Sequence, residues 1–342
     1  MTDAMSAGAG SDLGDAGARS AGVIRVMGWF DRWGVLLMVA IMAALSWLAQ
    51  PDVFLSERNI FNIFRQTAFY QMLALGQFIV IVTAGIDLSI GSVLALSMMC
   101  AAILADGGAA WPLVIIAPLL AGLFVGTING LGLTRLHMPH PFIMTLGMMF
   151  IARGATYLIS GGRPITGMPP EVTWLGSGNI EILGLHIPVS LVIVVITFVI
   201  AWFFLQHLRT GRHIFALGGN PQAARVSGIN VDRTLVIAYA LCGFMAGFAG
   251  LLLAGRTNSG FPNAGEGDEL VAISAVIIGG ASFFGGRGTV LGVFAGVLVI
   301  GMLRNLLNLS NVQVFWQQVL IGVVIIAVVA FDVFRRRLAA AS

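Results

Sequence analysis

Long apolar stretches separated by short polar segments run through most of this 342-residue chain. Ten of them approach the roughly 20 residues that an α-helix needs to cross a bilayer. By residue number they are 33–49, 60–84, 88–105, 112–134, 141–160, 188–207, 233–256, 268–284, 288–306 and 313–334. The eighth stretch is short and interrupted by glycine. The pattern predicts an all-α, polytopic membrane protein with about ten transmembrane helices.

Composition supports this class of protein. Hydrophobic residues make up 58% of the chain and charged residues 10%, too little polar surface for a soluble protein of this length. The two cysteines lie in apolar stretches, so no disulfide framework is indicated. The five histidines have no spacing typical of metal ligands. No nucleotide-binding motif and no nucleophile–base pair is recognisable, so we expect neither a cofactor nor enzyme activity.

The ends of the chain differ from its apolar body. Residues 1–28 are rich in Gly, Ala, Ser and Asp, which predicts a disordered cytoplasmic tail. Arg25 and Arg32 precede the first apolar stretch as in a signal peptide, but no clear cleavage site follows, so a retained first span is favoured. We expect one transmembrane domain over 29–338, and a short tail at 339–342.

Arginine positions predict the orientation of the spans. Cytoplasmic segments of membrane proteins carry an excess of basic residues. With ten spans, three basic clusters fall inside: Arg19, Arg25 and Arg32; Arg209, Arg212, Arg225 and Arg233; and Arg335, Arg336 and Arg337. The loops 161–187 and 257–267, which contain or lead to acidic residues, fall outside. Both termini are therefore predicted to be cytoplasmic.

The basic loop at 209–232 contains a short helix signal. Its members are Gly218, Gly219, Asn220, Pro221, Ala223, Ala224, Arg225 and Gly228. Asn220 is a good N-cap, Pro221 suits the first helical position, and Gly228 supplies a left-handed stop. The small alanine side chains and the charge of Arg225 fit a groove on a cytoplasmic partner. A capped connector lying on the membrane surface is the alternative, and the pattern alone leaves both open.

Polar residues in or beside the apolar stretches are candidates for lining a translocation pathway. They are Thr83, Asp87, Asn129, Thr145, Arg153 and Tyr157. A charged side chain in such surroundings is costly and functional by default. Asp87 lies at a glycine-flanked helix break, so capping of the next helix is favoured over contact with substrate. Arg153 suits either a structural bond to carbonyls or a pathway position, whereas Arg256 and Arg304 are expected to snorkel from span ends.

Several motifs in a fixed order resemble those of one transporter family. They are Thr83–Ser92, Pro141–Gly147, Ile151–Gly154, Ser160–Ile165, Gly218–Gly228, Pro262–Gly265, Gly279–Gly288 and Asn308–Gln318. Together they resemble the permease subunit of bacterial ATP-binding-cassette importers of the ribose, xylose, arabinose and galactose type, which includes autoinducer-2 importers. Two features depart from the family pattern. Asp268 stands where similar sequences usually carry an aromatic residue, and Phe283–Phe284 is bulkier than usual.

The resemblance implies a partnership in the bacterial inner membrane. It implies a ten-span, multi-pass subunit that pairs with a second permease chain, either itself or a paralogue, among membrane lipids. A cytoplasmic ATP-binding-cassette ATPase, which binds ATP and magnesium, and a periplasmic sugar-binding protein complete the importer; no nucleic acid is involved. The family's ATPase-coupling segment falls on Gly218–Gly228. The few intramembrane charges suit a neutral monosaccharide as the translocated species.

Two other classes of protein make different predictions. An ion-coupled secondary carrier of a small polar solute predicts carboxylates or acid–histidine relays within the membrane, and Asp87 at a span boundary is the one candidate. A membrane scaffold or receptor subunit would need a soluble domain or long extramembrane segments. The longest internal loop has fewer than about 30 residues by the span lengths used above, so the importer permease is the preferred prediction.

Overall fold

The computed structural model describes residues 34–138 and 140–323, together with 326, 327 and 330. The predicted tails at 1–28 and 339–342 lie outside these residues, as do the ends of the predicted domain 29–338. The helices of the described part are α1 Gly34–Ala49, α2 Pro51–Phe54, α3 Glu57–Val82, α4 Ile90–Asp106, α5 Trp111–Arg135, α6 Pro141–Ser160, α7 Pro170–Ser177, α8 Val189–His207, α9 Arg209–Gly219, α10 Pro221–Val226, α11 Val231–Thr257, α12 Asp268–Ile278, α13 Val290–Leu309 and α14 Val314–Val323. The strands are β1 Ile165–Thr166, β2 Asn179–Ile182, β3 Leu185–Pro188 and β4 Ser259–Gly260.

A helix lies at each of the ten predicted span positions, but the helices differ in length and polarity. Within the described residues, five are long and apolar enough to cross a membrane: α5, α6, α8, α11 and α13. α3 has 26 residues but carries glutamines and arginines, and α1, α4 and α14 are shorter apolar helices. The chain is therefore a helical membrane protein, while helix length alone leaves the count of ten open.

The eighth predicted span is interrupted, as its glycines indicated, but its helix ends earlier than predicted. Its helix, α12, contains 11 residues and ends at Ile278, six positions before the expected end at 284. Gly280 adopts a left-handed conformation with φ of 84°, which a continuing right-handed helix cannot contain. The chain then runs through residues 281–289 without regular structure before α13 begins.

The centre of the bundle is α11, which packs against α3, α4 and α5. The contact with α5 depends on glycines that face each other. A Cβ atom on Gly126 would overlap with the carbonyl oxygen of Tyr239, and one on Gly243 with that of Gly122. Lipid gives helices no hydrophobic drive to associate, so close backbone approach through small residues provides the packing energy.

Four short strands were missed by the all-α prediction, because two to four residues carry no readable alternation. β1 pairs antiparallel with β4, with Ile165 opposite Gly260, and β2 pairs with β3 in a hairpin. The β1–β4 pair joins the loops 161–187 and 257–267, which the charge pattern places on one side. We call this end of the bundle the strand end, and the end that carries α9 and α10 the α10 end.

Candidate functional site

The predicted loop helix forms as α10, with the expected caps. The Asn220 side-chain oxygen accepts hydrogen bonds from the backbone N–H groups of Gln222 at 3.0 Å and Ala223 at 2.9 Å, and Pro221 is the first helical residue. Gly228 has a φ of 82°, the left-handed conformation that ends helices. Ala223 and Arg225 are exposed, whereas Ala224 is buried against the protein. Only part of the predicted docking surface therefore faces outward.

Gly218 and Gly219 belong to α9 and not to the short helix, which corrects the predicted extent of the helix signal. The two neighbouring glycines have opposite surroundings. A Cβ atom on Gly218 would overlap with the carbonyl oxygen of Val82 and lie 2.7 Å from the backbone nitrogen of Gly286. A Cβ atom on Gly219 would meet nothing within 4 Å. Gly218 is thus a packing residue inside the protein.

Three backbone segments meet at Gly218. They are the end of α3, the end of α9, and the glycine-rich loop that follows α12. The N–H of Gly286 donates to the carbonyl of Val82 at 2.9 Å, and both Gly285 and Gly286 have positive φ angles. The predicted coupling segment therefore contacts the end of α3 and the loop that follows α12. We call this contact the glycine junction.

Asp87 is fully enclosed at the break between α3 and α4. Its side chain is 1% exposed. Its Oδ1 accepts from the Ser89 N–H at 2.8 Å and the Ser89 hydroxyl at 2.6 Å. The Asn129 amide on α5 donates to Asp87 Oδ2 at 3.3 Å and to the Ser89 hydroxyl at 2.9 Å. This carboxylate organises the turn before α4, but Ser89 and not Asp87 is the residue at the N-cap position, and the Ser89 side chain makes no capping hydrogen bond.

Other side chains hold the same turn from several helices. In the amide orientation that its surroundings favour, Gln77 donates to the backbone oxygen of Asp87 at 3.0 Å and accepts from its N–H at 3.2 Å. Thr145 on α6 and Tyr239 on α11 each donate to the Ile86 carbonyl at 3.4 Å. Thr83 ends α3 and bonds to the Val80 carbonyl at 2.7 Å. Four of the six predicted pathway residues therefore surround or belong to this turn.

The remaining two predicted pathway residues lie on α6 but do not act together. Arg153 donates through Nη1 to the carbonyl oxygens of Pro262 and Ala264, each at 2.7 Å. This matches the structural alternative for Arg153, because it fixes the loop between β4 and α12. Tyr157, one turn further along α6, is exposed on the surface.

A cavity of about 700 Å³, lined by both polar and apolar residues, opens at the strand end. α3, α11, α12, α13 and α14 line it, together with the loop that Arg153 holds. Its charged residues are Arg256, Glu266, Asp268 and Arg304, and amide side chains include Gln66, Asn263 and Gln317. None of the six predicted pathway residues is part of this lining. The predicted pathway and the cavity therefore occupy different parts of the molecule.

Tyr70 connects the charges of the cavity. Its hydroxyl donates to Oδ1 of Asp268 at 3.0 Å and accepts a hydrogen bond from Nη1 of Arg304. Arg256 reaches the Gln66 carbonyl at 3.5 Å. Sequence reasoning assigned both arginines to snorkelling, and the structure instead turns them into the protein. A signal was present: Gln66, Tyr70 and Gln77 repeat at intervals of four and seven residues, which places them on one face of α3.

Residues 59–329 match the family described as branched-chain amino acid transport system / permease component. The chain belongs to this family. The matched region of the permease extends from α3 to the last helix, and it includes the glycine junction, the Asp87 turn and the cavity.

Individual relatives cover the permease almost completely. The ribose import permease protein RbsC of Bacillus subtilis (strain 168) is 42% identical over 311 residues, which is 91% of this chain and 94% of the relative. The RbsC protein of Escherichia coli (strain K12) is 39% identical over 302 residues, 87% of this chain and 91% of its own. The D-allose transport system permease protein AlsC of the same strain is 38% identical over 305 residues, 89% and 92% of the two chains.

No solved structure gave a significant match. The relatives nevertheless confirm the resemblance to sugar-importer permeases that the ordered motifs indicated. The permease is therefore a multi-pass transport subunit.

Proposed function

We propose that this permease forms the membrane path of an ATP-driven importer for a neutral monosaccharide in the bacterial inner membrane. It works as one of a pair of permease chains, either two copies or a copy and a paralogue. A cytoplasmic ATPase binds ATP and magnesium and supplies the free energy. A periplasmic binding protein delivers the sugar to the strand end, and alternating access moves the sugar across the membrane.

The observation that carries this proposal is the contact of the α9–α10 segment with the end of α3. Ala223 and Arg225 are exposed for a partner, and Gly218, two residues before the Asn220 cap, packs on Val82 at the end of α3. A six-residue helix is too short to be stable alone, so its position depends on α9 and on that packing. Force applied to α10 by a closing ATPase would reach α3 and the glycine-rich loop directly.

The arrangement of the loops supports ten spans with cytoplasmic termini. Loops that the charge pattern assigns to the outside meet at the strand end, where β1 pairs with β4 and Arg65 bonds to Asn179 at 2.7 Å. The basic α9–α10 segment lies at the other end, against the glycine-rich loop after α12. The half-length α12 and residues 281–289 together take the place of one full span.

Charge reversal on α10 tests the coupling. The variant Ala223→Glu with Arg225→Glu should insert normally, lose the co-purifying ATPase, and lose ATP-driven uptake of ribose, allose and galactose in proteoliposomes. The matched control, Ala223→Ser with Arg225→Lys, keeps the small size and the positive charge and should transport normally. Normal uptake by the Glu variant would contradict the coupling role. Uptake by the chain alone in ATPase-free vesicles under an ion gradient would instead establish a secondary carrier.

A further inference from the structure

The cavity at the strand end has a balanced set of charges. Its lining includes two arginines, Arg256 and Arg304, and two carboxylates, Glu266 and Asp268. The formal charges of these four side chains, the charged ones among the described residues of the lining, sum to zero. Charged side chains within a membrane domain are costly and mark substrate or ion pathways. A charge-balanced cavity is suited to a solute that offers many hydrogen bonds and no charge of its own.

Tyr70, Asp268 and Arg304 come from three helices and form what we call the Tyr70 triad. The tyrosine hydroxyl lies between the two charged groups, as described above, and the Arg304 guanidinium carbon is 4.7 Å from the centre of the tyrosine ring. Within the described residues, Oδ2 of Asp268 and Nε and Nη2 of Arg304 make no hydrogen bond. An acceptor and several donors thus remain available on the two sides of one hydroxyl group.

We propose that the Tyr70 triad binds adjacent hydroxyl groups of a neutral sugar and that the charge balance of the cavity rejects sugar acids and amino sugars. This inference rests on the proposed function as a monosaccharide importer. A sugar hydroxyl both donates and accepts, so one hydroxyl donates to Asp268 Oδ2 while its neighbour accepts from Arg304. A sugar acid or an amino sugar would add a charge that the balanced lining does not compensate. This mismatch makes the site specific for neutral sugars.

The size and the remaining lining fit the same ligand. A volume of about 700 Å³ lies within the range of about 300–1,000 Å³ typical of small-molecule sites. Phe69 and Phe261 contribute aromatic surface, and Gln66 and Gln317 contribute amide groups. Asp268 stands where similar sequences usually carry an aromatic residue, and in this protein it supplies the carboxylate of the Tyr70 triad.

A cysteine reporter in the cavity measures binding without relying on transport. Asn263 lines the cavity and is exposed, so Asn263→Cys is placed in a Cys100→Ser, Cys242→Ser background and reconstituted with its ATPase in lipid nanodiscs. The rate of labelling by a neutral maleimide is measured with D-ribose, D-allose, D-galactose, D-gluconate or D-glucosamine present. We expect at least one neutral sugar to slow labelling, and gluconate and glucosamine to have no effect at the same concentration.

Variants of the triad decide the residue assignment. Asp268→Asn and Arg304→Gln should each raise the sugar concentration needed for half-protection about tenfold or more, as expected for loss of a hydrogen bond to a charged group. Tyr70→Phe removes only the hydroxyl and should weaken protection less. Glu181→Gln removes a charge on the exposed strand β2, outside the cavity lining, and should leave protection unchanged.

The outcomes separate this inference from the proposed function. The complex could import a sugar with ATP while sugar protects the reporter from labelling equally well in the triad variants and in the parent. The triad then does not bind sugar, and the proposed importer function is unaffected. Equal protection by gluconate would also overturn the charge-balance argument. If no sugar is imported and no ATPase accompanies the chain, the proposed function fails. Should Asp268→Asn fail to assemble with the ATPase, Tyr70→Phe and Arg304→Gln carry the same test.

Discussion

The two ends of α3 serve different purposes by opposite chemical means. Toward the strand end, Tyr70 faces a wide cavity and is linked to a carboxylate and a guanidinium on other helices. At the α10 end, Val82 accepts a hydrogen bond from Gly286 and leaves no room for a side chain on Gly218. The cavity presents polar side chains to its interior. The glycine junction is a contact between backbone atoms, because its glycines have no side chains.

This difference indicates how each region should respond to mutation. A cavity bounded by side chains tolerates changes of volume but is sensitive to changes in charge and hydrogen bonding. A backbone contact is insensitive to charge nearby but sensitive to a single added methyl group, because close-packed interiors accommodate extra volume poorly. We therefore expect substitutions at the strand end to alter which solute binds, and substitutions at the α10 end to alter coupling and stability.

The largest effect is expected for Gly218→Ala. The added methyl overlaps with the Val82 carbonyl, so α9 must separate from α3, at a cost of about 1–3 kcal/mol or more. ATP-driven uptake in proteoliposomes should fall at least about tenfold, and the thermal unfolding temperature in detergent should drop. Gly219→Ala is the control, since its methyl meets nothing within 4 Å, and it should behave like the unmodified protein. Similar uptake by both variants would remove the glycine junction from the coupling route.

An intermediate effect is expected for Asp87→Ala. The change leaves the buried N–H and hydroxyl of Ser89 without their acceptor and removes one of the two bonds of the Asn129 amide, which should cost about 2 kcal/mol of stability. Asp87→Asn keeps one oxygen for Ser89 and should lose less. Thermal unfolding in detergent measures the difference between the two. Sugar protection of the Asn263→Cys reporter should be unaffected, and a changed sugar preference would show that Asp87 belongs to the solute pathway.

The smallest effect is expected for Asn220→Ala, which removes the cap of α10. Loss of an N-cap typically costs about 1 kcal/mol, and here it acts on a six-residue helix that packing also holds in place. The apparent affinity of the permease for its ATPase should fall several-fold, within the tenfold that about 1.4 kcal/mol represents. Gln222→Ala, an exposed position on the same helix, serves as the control. A loss as large as that of Gly218→Ala would show that the cap, rather than the junction, governs coupling.

Features with a local physical cause were predictable from the sequence. The apolar stretches gave helices at all ten positions, because bilayer-length apolar segments have few alternatives to the helix. The cap of α10 was also predictable, since Asn220, Pro221 and Gly228 act on their immediate neighbours. The glycine interruption of the eighth stretch was recognised, but the end of α12 at Ile278 was placed too late, because glycine is tolerated in membrane helices.

The candidate site was harder to predict because it depends on long-range contacts. Asp87 and Arg153 stand out in the sequence as charged residues among apolar ones, but their distant partners, such as Asn129 and Pro262, are identified by no local pattern. The Tyr70 triad joins residues about 200 positions apart in the chain, and with a single sequence nothing pairs them. The polar residues on one face of α3 could be recognised in the sequence. The strands at the strand end are too short to show a recognisable pattern.

The glycine junction also limits how this protein can vary. Its hydrogen bond runs from one backbone to another, from Gly286 to Val82, so no exchange of side chains can make that bond stronger. Residue replacement can only preserve the contact or obstruct it. The sequence specifies this contact through glycines, which carry no side chain. Substitutions that change the rigidity of the glycine junction therefore have to lie in the surrounding helices.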